Sequence, residues 1–101
     1  MKKKILVTRK LLQENEEKLK ELFDVKLNSK DELYTPEKIL KLSKDCDGIL
    51  SAITDQFNKD LIEKLSPSIK IIANFAVGFG NIDVNVAAKK NIVVTNTPEV
   101  L

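Results

Sequence analysis

Ile69-Lys70-Ile71-Ile72-Ala73-Asn74-Phe75-Ala76-Val77-Gly78-Phe79-Gly80-Asn81-Ile82-Asp83 is the stretch that decides the fold. Its nearly continuous apolar run, Ile69 to Ala73, reads as a strand buried on both faces. Two glycines follow, and Asp83 then offers a carboxylate as a helix N-cap. Val86, Ala87 and Ala88 carry the helix to Asn91, a residue suited to the left-handed turn that ends helices. Ile92-Val93-Val94 opens the next apolar run. Strand, helix and strand with such short connections imply parallel pairing through a right-handed crossover.

The same alternation runs back to the amino terminus. Ile5-Leu6-Val7, Val25-Lys26-Leu27 and Gly48-Ile49-Leu50 are further short apolar runs, each with a β-branched residue. Between them, Leu12, Leu19, Leu22 and Phe23 are expected on one side of a first helix. Thr35-Pro36-Glu37 opens a second, with an N-cap residue followed by proline at the first helical position; Ile39, Leu40 and Leu42 are its apolar side. Asn58 caps a third, which carries Leu61, Ile62 and Leu65 and ends before Pro67. The expectation is one α/β domain over residues 1–101, a flavodoxin-like, doubly wound parallel five-stranded sheet of order 2-1-3-4-5. Thr97-Pro98-Glu99 repeats the cap-plus-proline opening, so a fifth helix should begin there. Leu101 follows within one turn, and the domain is expected to be a piece of something longer, truncated before its last helix.

The chain has 101 residues, 43% hydrophobic and 32% charged, which is enough apolar material for one core. Seventeen basic against 15 acidic residues leave a net charge of +2, too balanced to indicate nucleic acid or a membrane surface as partner. The basic Met1-Lys2-Lys3-Lys4 start is followed by only three apolar residues, so it is no secretory signal. The sequence has no histidine, which excludes a Ser-His or Cys-His pair and any His-ligated metal within these residues. A single cysteine, Cys46, excludes an internal disulfide and points to a cytoplasmic protein.

In open parallel sheets, ligands bind beyond the carboxyl ends of the strands. Those ends are Thr8-Arg9, Asn28-Ser29, Ser51-Ala52-Ile53-Thr54-Asp55, Asn74-Phe75-Ala76-Val77-Gly78 and Thr95-Asn96. Gly78 and Gly80 let main-chain NH groups approach an anion such as a carboxylate; equally, they make a tight turn capped by Asp83. A dinucleotide fingerprint is excluded, since its third glycine falls on Asp83. Ser51 and Thr54-Asp55 could bond a substrate or shape the turn ahead of Asn58. Cys46, between Asp45 and Asp47, reads as a small core residue. Arg9, the only arginine, is expected to be solvated. A phosphate-accepting response regulator needs an acidic cluster where Thr8-Arg9-Lys10 stands, and a flavin mononucleotide carrier needs a hydroxyl- and glycine-rich loop where Arg9-Lys10-Leu11-Leu12 stands. Neither fits.

Asn74-Phe75-Ala76-Val77-Gly78-Phe79-Gly80-Asn81-Ile82-Asp83, followed by Ile92-Val93-Val94-Thr95-Asn96-Thr97-Pro98, closely resembles the D-isomer-specific 2-hydroxyacid dehydrogenases. That family includes phosphoglycerate dehydrogenase and the glyoxylate/hydroxypyruvate reductases. Thr54-Asp55 with Phe57-Asn58 resembles the family's loop after strand three, and Gly80 is a small departure from its usual residue. The resemblance covers the whole chain. It implies a two-domain, NAD- or NADP-dependent oxidoreductase interconverting a D-2-hydroxy acid and a 2-oxo acid, of which this is the first part of the substrate-binding (catalytic) domain. Main-chain NH groups of Val77 and Gly78, beside Ala76, would grip the substrate carboxylate, with Ser51, Ala52 and Ile53 closing over it. The acid/base histidine, its glutamate, the arginine and the cofactor's Rossmann domain would all lie outside these residues. A homo-oligomer acting on a small molecule is implied, with no nucleic acid or membrane partner. The rival reading is a standalone flavodoxin-like binding or regulatory module without catalysis.

Overall fold

The computed structural model describes residues 2–52, 55–75 and 81–96. Five strands and four helices alternate: β1 (Lys4–Val7), α1 (Gln13–Leu22), β2 (Asp24–Lys26), α2 (Pro36–Leu42), β3 (Gly48–Ala52), α3 (Lys59–Lys64), β4 (Ile71–Phe75), α4 (Val84–Lys89) and β5 (Val93–Asn96). The strands form one sheet in the order β2-β1-β3-β4-β5, every pair parallel, which is the expected flavodoxin-like winding.

Local chemistry starts three of the helices where the sequence indicates. The Thr35 hydroxyl accepts from the Lys38 NH at 3.2 Å with Pro36 at the first helical position, Asn58 accepts from Leu61 at 3.0 Å, and Asp83 accepts from Val86 at 3.2 Å. Each satisfies one of the main-chain donors that a helix start leaves open. Asn91 ends α4 in the left-handed region, at φ 61°.

Register places Leu6, Ile49, Ile72 and Val94 in one row across β1, β3, β4 and β5. α2, α3 and α4 cover this face with Ile39, Leu61, Ile62 and Ala87, and Cys46 and Phe57 complete the core with no exposed surface. Cys46 is thus the small core residue expected, its thiol pushed up from its ordinary pKa by burial.

Three expectations are corrected. β4 begins at Ile71 and β5 at Val93, while Ile69 and Ile92 enter the core from the preceding turns, 2% and 5% exposed. Apolarity marks burial there, and the turn bonds Ile69 NH to Ser66 O and Ile92 NH to Ala87 O keep both residues out of the ladder. The first helix does not bury Leu12, Leu19, Leu22 and Phe23 as one stripe. Leu12 is its extended N-cap, 68% exposed, Leu22 is 59% exposed, and no residue of α1 is buried. Strands closed on both faces are also not what is found. On the face opposite the core, Ile5, Leu50, Ile71 and Ala73 floor a groove of about 360 Å³ whose side is Leu19 and Phe23. Gly48 lies in this face, where a Cβ would come within 2.7 Å of Ile71 Cγ2, so the third strand's glycine is fixed by packing. The fifth helix expected at Thr97-Pro98-Glu99 lies outside the described residues.

Candidate functional site

Side chains two apart in a strand share a face. Leu6, Ile49 and Ile72 therefore put Thr8, Ser51 and Asn74 on the core face, one step further toward the carboxyl ends. The apolar row gives way to a polar one just where the strands end. All three polar residues are buried, at 0%, 1% and 0% exposure, and two more from the connections join them: Asp55 at 3% and Asn81 at 7%.

Buried polar groups need partners, and these supply one another. The Ser51 hydroxyl donates to Asn74 Oδ1 at 3.1 Å, and Asn74 Nδ2 donates to Asn81 Oδ1 at 2.8 Å. Asn81 Nδ2 donates to the carbonyls of Ala52 at 3.0 Å and Asp55 at 2.8 Å. The Asp55 carboxylate accepts from the Thr8 hydroxyl and from the Ala52 NH. Main-chain bonds add to this: Asp55 NH to Ala52 O, Phe57 NH to Asn81 O, and Asp83 NH to Phe57 O, with Phe57 and Ile82 forming an isolated parallel bridge. The result is a cross-braced platform joining the ends of β1, β3 and β4.

Arg9 borders this platform at the surface, as expected, and gains a partner there. It is paired to Asp31, Nε to Oδ1 at 2.7 Å and Nη2 to Oδ2 at 3.2 Å, while the Lys10 NH also donates to Asp31 at 2.9 Å. The Arg9 hydrogen bonds, then the Lys10 NH, hold the Asp31 carboxyl down at about 2. Asn28 continues the scaffold by donating to the carbonyls of Thr8 and Glu32, at 2.8 and 2.6 Å.

Of the residues singled out in the sequence, Ser51 and Ala52 form the end of β3, and Ser51 is turned inward to Asn74. Ile53, Thr54, Ala76, Val77, Gly78 and Gly80 lie outside the described residues. Asp55 shapes the turn after β3 and contributes its side chain to the network, the turn-forming alternative for that residue. Thr8, Asn74 and Asn81 stand among the strand-end and motif residues of the sequence, which by itself gives them no role. The signal for two of them is the parity of Leu6-x-Thr8 and Ile72-x-Asn74; Asn81 has no such local mark.

Among the described residues, no group of three or more His, Cys, Asp or Glu side chains could hold a metal ion, and no helix is long and apolar enough to cross a membrane. Gly48, the one glycine among the described residues, is packed inside β3.

Comparison with known proteins fits this architecture. Residues 5–101 match the family described as D-isomer specific 2-hydroxyacid dehydrogenase, catalytic domain. A glyoxylate reductase of Korarchaeum cryptofilum is 41% identical over 102 aligned residues, covering 100% of this chain and 30% of that protein. A Polaromonas sp. protein, assigned by its name to the NAD-binding D-isomer specific 2-hydroxyacid dehydrogenases, superposes at TM-score 0.92 with 30% identity, covering 100% of this chain and 32% of its own. The NADPH-dependent glyoxylate/hydroxypyruvate reductase of Sinorhizobium meliloti, solved with NADP and malonate, superposes at 0.75 with 34% identity, over 100% of this chain and 30% of its own. The chain thus spans about 30% of the length of the curated relatives it matches. With the family pattern running from Ile5 to Leu101 on the same five-stranded parallel sheet, the chain belongs to the D-isomer specific 2-hydroxyacid dehydrogenases, as part of their catalytic domain.

Proposed function

We propose that these residues are the first part of the substrate-binding domain of an NAD- or NADP-dependent oxidoreductase that interconverts a D-2-hydroxy acid and a 2-oxo acid. Glyoxylate is the favoured substrate. The observation that carries this reading is the match of this entire chain to 30% of the length of two glyoxylate reductases, at 36% and 41% identity. In this reading the main-chain NH groups of Val77 and Gly78, beside Ala76, hold the substrate carboxylate, and Ala52 and Ile53 close over it, with Ser51 supporting them from the buried side. Charge-assisted bonds from main-chain NH groups suit a carboxylate without any cationic side chain. The braced platform supports the reading physically, because it fixes both strand ends from which those residues spring.

The nicotinamide cofactor supplies the hydride, and a further domain of the enzyme holds it. The reading carries with it a cytoplasmic homo-oligomer. Its test is oxidation of NADH or NADPH by the full-length purified protein with glyoxylate and hydroxypyruvate as acceptors. Turnover is expected from the full-length protein and none from residues 1–101 alone. A full-length protein that oxidises neither cofactor with any of a panel of 2-oxo acids overturns the proposal.

A further inference from the structure

We propose that Asn81 is a positioning residue that couples the β3 and β4 ends of the platform, so that these two strand ends keep one fixed geometry. The inference deepens the function proposed above and rests on it for its kinetic consequence. Its structural ground is that Asn81 spends every polar atom of its side chain inside the protein. The amide nitrogen reaches Ala52 O, Asp55 O and Asn74 Oδ1, at 3.0, 2.8 and 3.2 Å, and its oxygen accepts from Asn74. Ala52 is the last residue of β3, Asp55 stands in the connection from β3 to α3, and Asn74 belongs to β4. Asn81 itself stands where the chain returns from β4 toward α4, and its carbonyl accepts from the Phe57 NH at 2.8 Å. One side chain thus ties the β3 exit to the β4 strand and to the entry of α4.

A primary amide suits this place on chemical grounds. The site asks for two donor hydrogens aimed at carbonyls and one acceptor aimed back. Aspartate has the shape but sets a carboxylate against two carbonyl oxygens, serine has a single donor, and alanine leaves both carbonyls and the Asn74 amide to find other partners. Asn81 is 7% exposed and has no polar atom left for a substrate, so its influence passes through Ala52 and its neighbours.

The test uses the full-length protein with Asn81→Ala, and Asn81→Ser as the milder variant should the alanine protein fail to fold. The expected result is a KM for glyoxylate raised about tenfold, the equivalent of one lost hydrogen bond, with kcat and the cofactor KM within about threefold of wild type. A merely structural role lowers the fraction of folded enzyme and leaves KM unchanged; that result, in a folded variant, overturns the inference. A wild-type protein that reduces no 2-oxo acid defeats the functional reading instead. The coupling is then decided by amide hydrogen exchange. Faster exchange in both Ser51–Phe57 and Asn81–Asp83, with Lys4–Val7 unaltered, sustains it; a response confined to one segment overturns it.

Discussion

Thr8→Val changes one atom of the platform and little else. Valine keeps the β-branched shape, so the strand conformation at the end of β1 is undisturbed. The main chain is pinned on both sides, since Thr8 NH donates to Leu50 O at 3.1 Å and Thr8 O accepts from Asn28 at 2.8 Å. What is lost is the hydroxyl that donates to the Asp55 carboxylate, in a place with 0% exposure at Thr8 and 3% at Asp55. Water cannot readily replace it, and the carboxylate keeps the Ala52 NH at 2.9 Å as its remaining partner in this network. Removing a hydrogen bond to a charged, buried group costs about 1.5–3 kcal/mol. At an m-value of about 1.5 kcal/mol/M, that lowers the urea midpoint by about 1–2 M. Thr8→Ser is the control: it keeps the donor and loses one buried methyl, about 1 kcal/mol. The expected order is wild type, then serine, then valine, although valine is the more apolar of the two replacements. A Thr8→Val protein as stable as Thr8→Ser, with unchanged m, refutes the argument that this bond holds the strand ends together.

Three other outcomes can be checked on the same chain. Lys90 Nζ donates to the carbonyls of Ile62, Glu63 and Leu65 at 3.1, 3.1 and 2.9 Å, closing the carboxyl end of α3, so Lys90→Met should lower stability by about 1 kcal/mol in thermal unfolding. Asp31 sits at about 2 against an ordinary 3.8, so its pairing with Arg9 contributes stability above about pH 4 that disappears as pH falls toward 2; the gap between wild type and Asp31→Asn in unfolding midpoint should stay constant at neutral pH and close over that window. The groove floored by Ile5, Leu50, Ile71 and Ala73 leaves apolar sheet surface open, so residues 1–101 alone should self-associate across a concentration series in light scattering, and a clean monomer at high concentration would refute this.

The winding of the sheet was legible because it rests on local signals that repeat: an apolar run, a cap, a helix, another run. Thr35-Pro36, Asn58 and Asp83 marked helix starts correctly since capping is chemistry between residues three apart. The stripe of α1 misled for a different reason. Periodicity says which residues share a side, not whether anything meets them, and Leu22 meets little while Leu12 lies before the helix begins. The ends of the strands were read as the place for binding, but their wiring was not. Thr8 meets Asp55 across 47 positions and Ser51 meets Asn74 across 23. No spacing rule reaches so far without the register of the sheet.

That register also explains why polar groups are buried at this edge at all. An apolar row continued through Thr8, Ser51 and Asn74 would pack without any need for mutual orientation, and replacing satisfied buried polar groups by apolar ones of like shape is often neutral for stability. Apolar contacts are non-directional, however, and would let the strand ends slide or repack. Hydrogen bonds have angles. A hydroxyl on β3, an amide on β4, a second amide beyond it and a carboxylate after β3 agree on one arrangement only when each strand stops at its own residue. The change from apolar to polar between Leu6 and Thr8, Ile49 and Ser51, and Ile72 and Asn74 therefore sets where the sheet ends and its connections begin. In a parallel fold that boundary is where a ligand is met. The residues that fix it would govern how well the neighbouring main chain is aimed, even though their own side chains face inward.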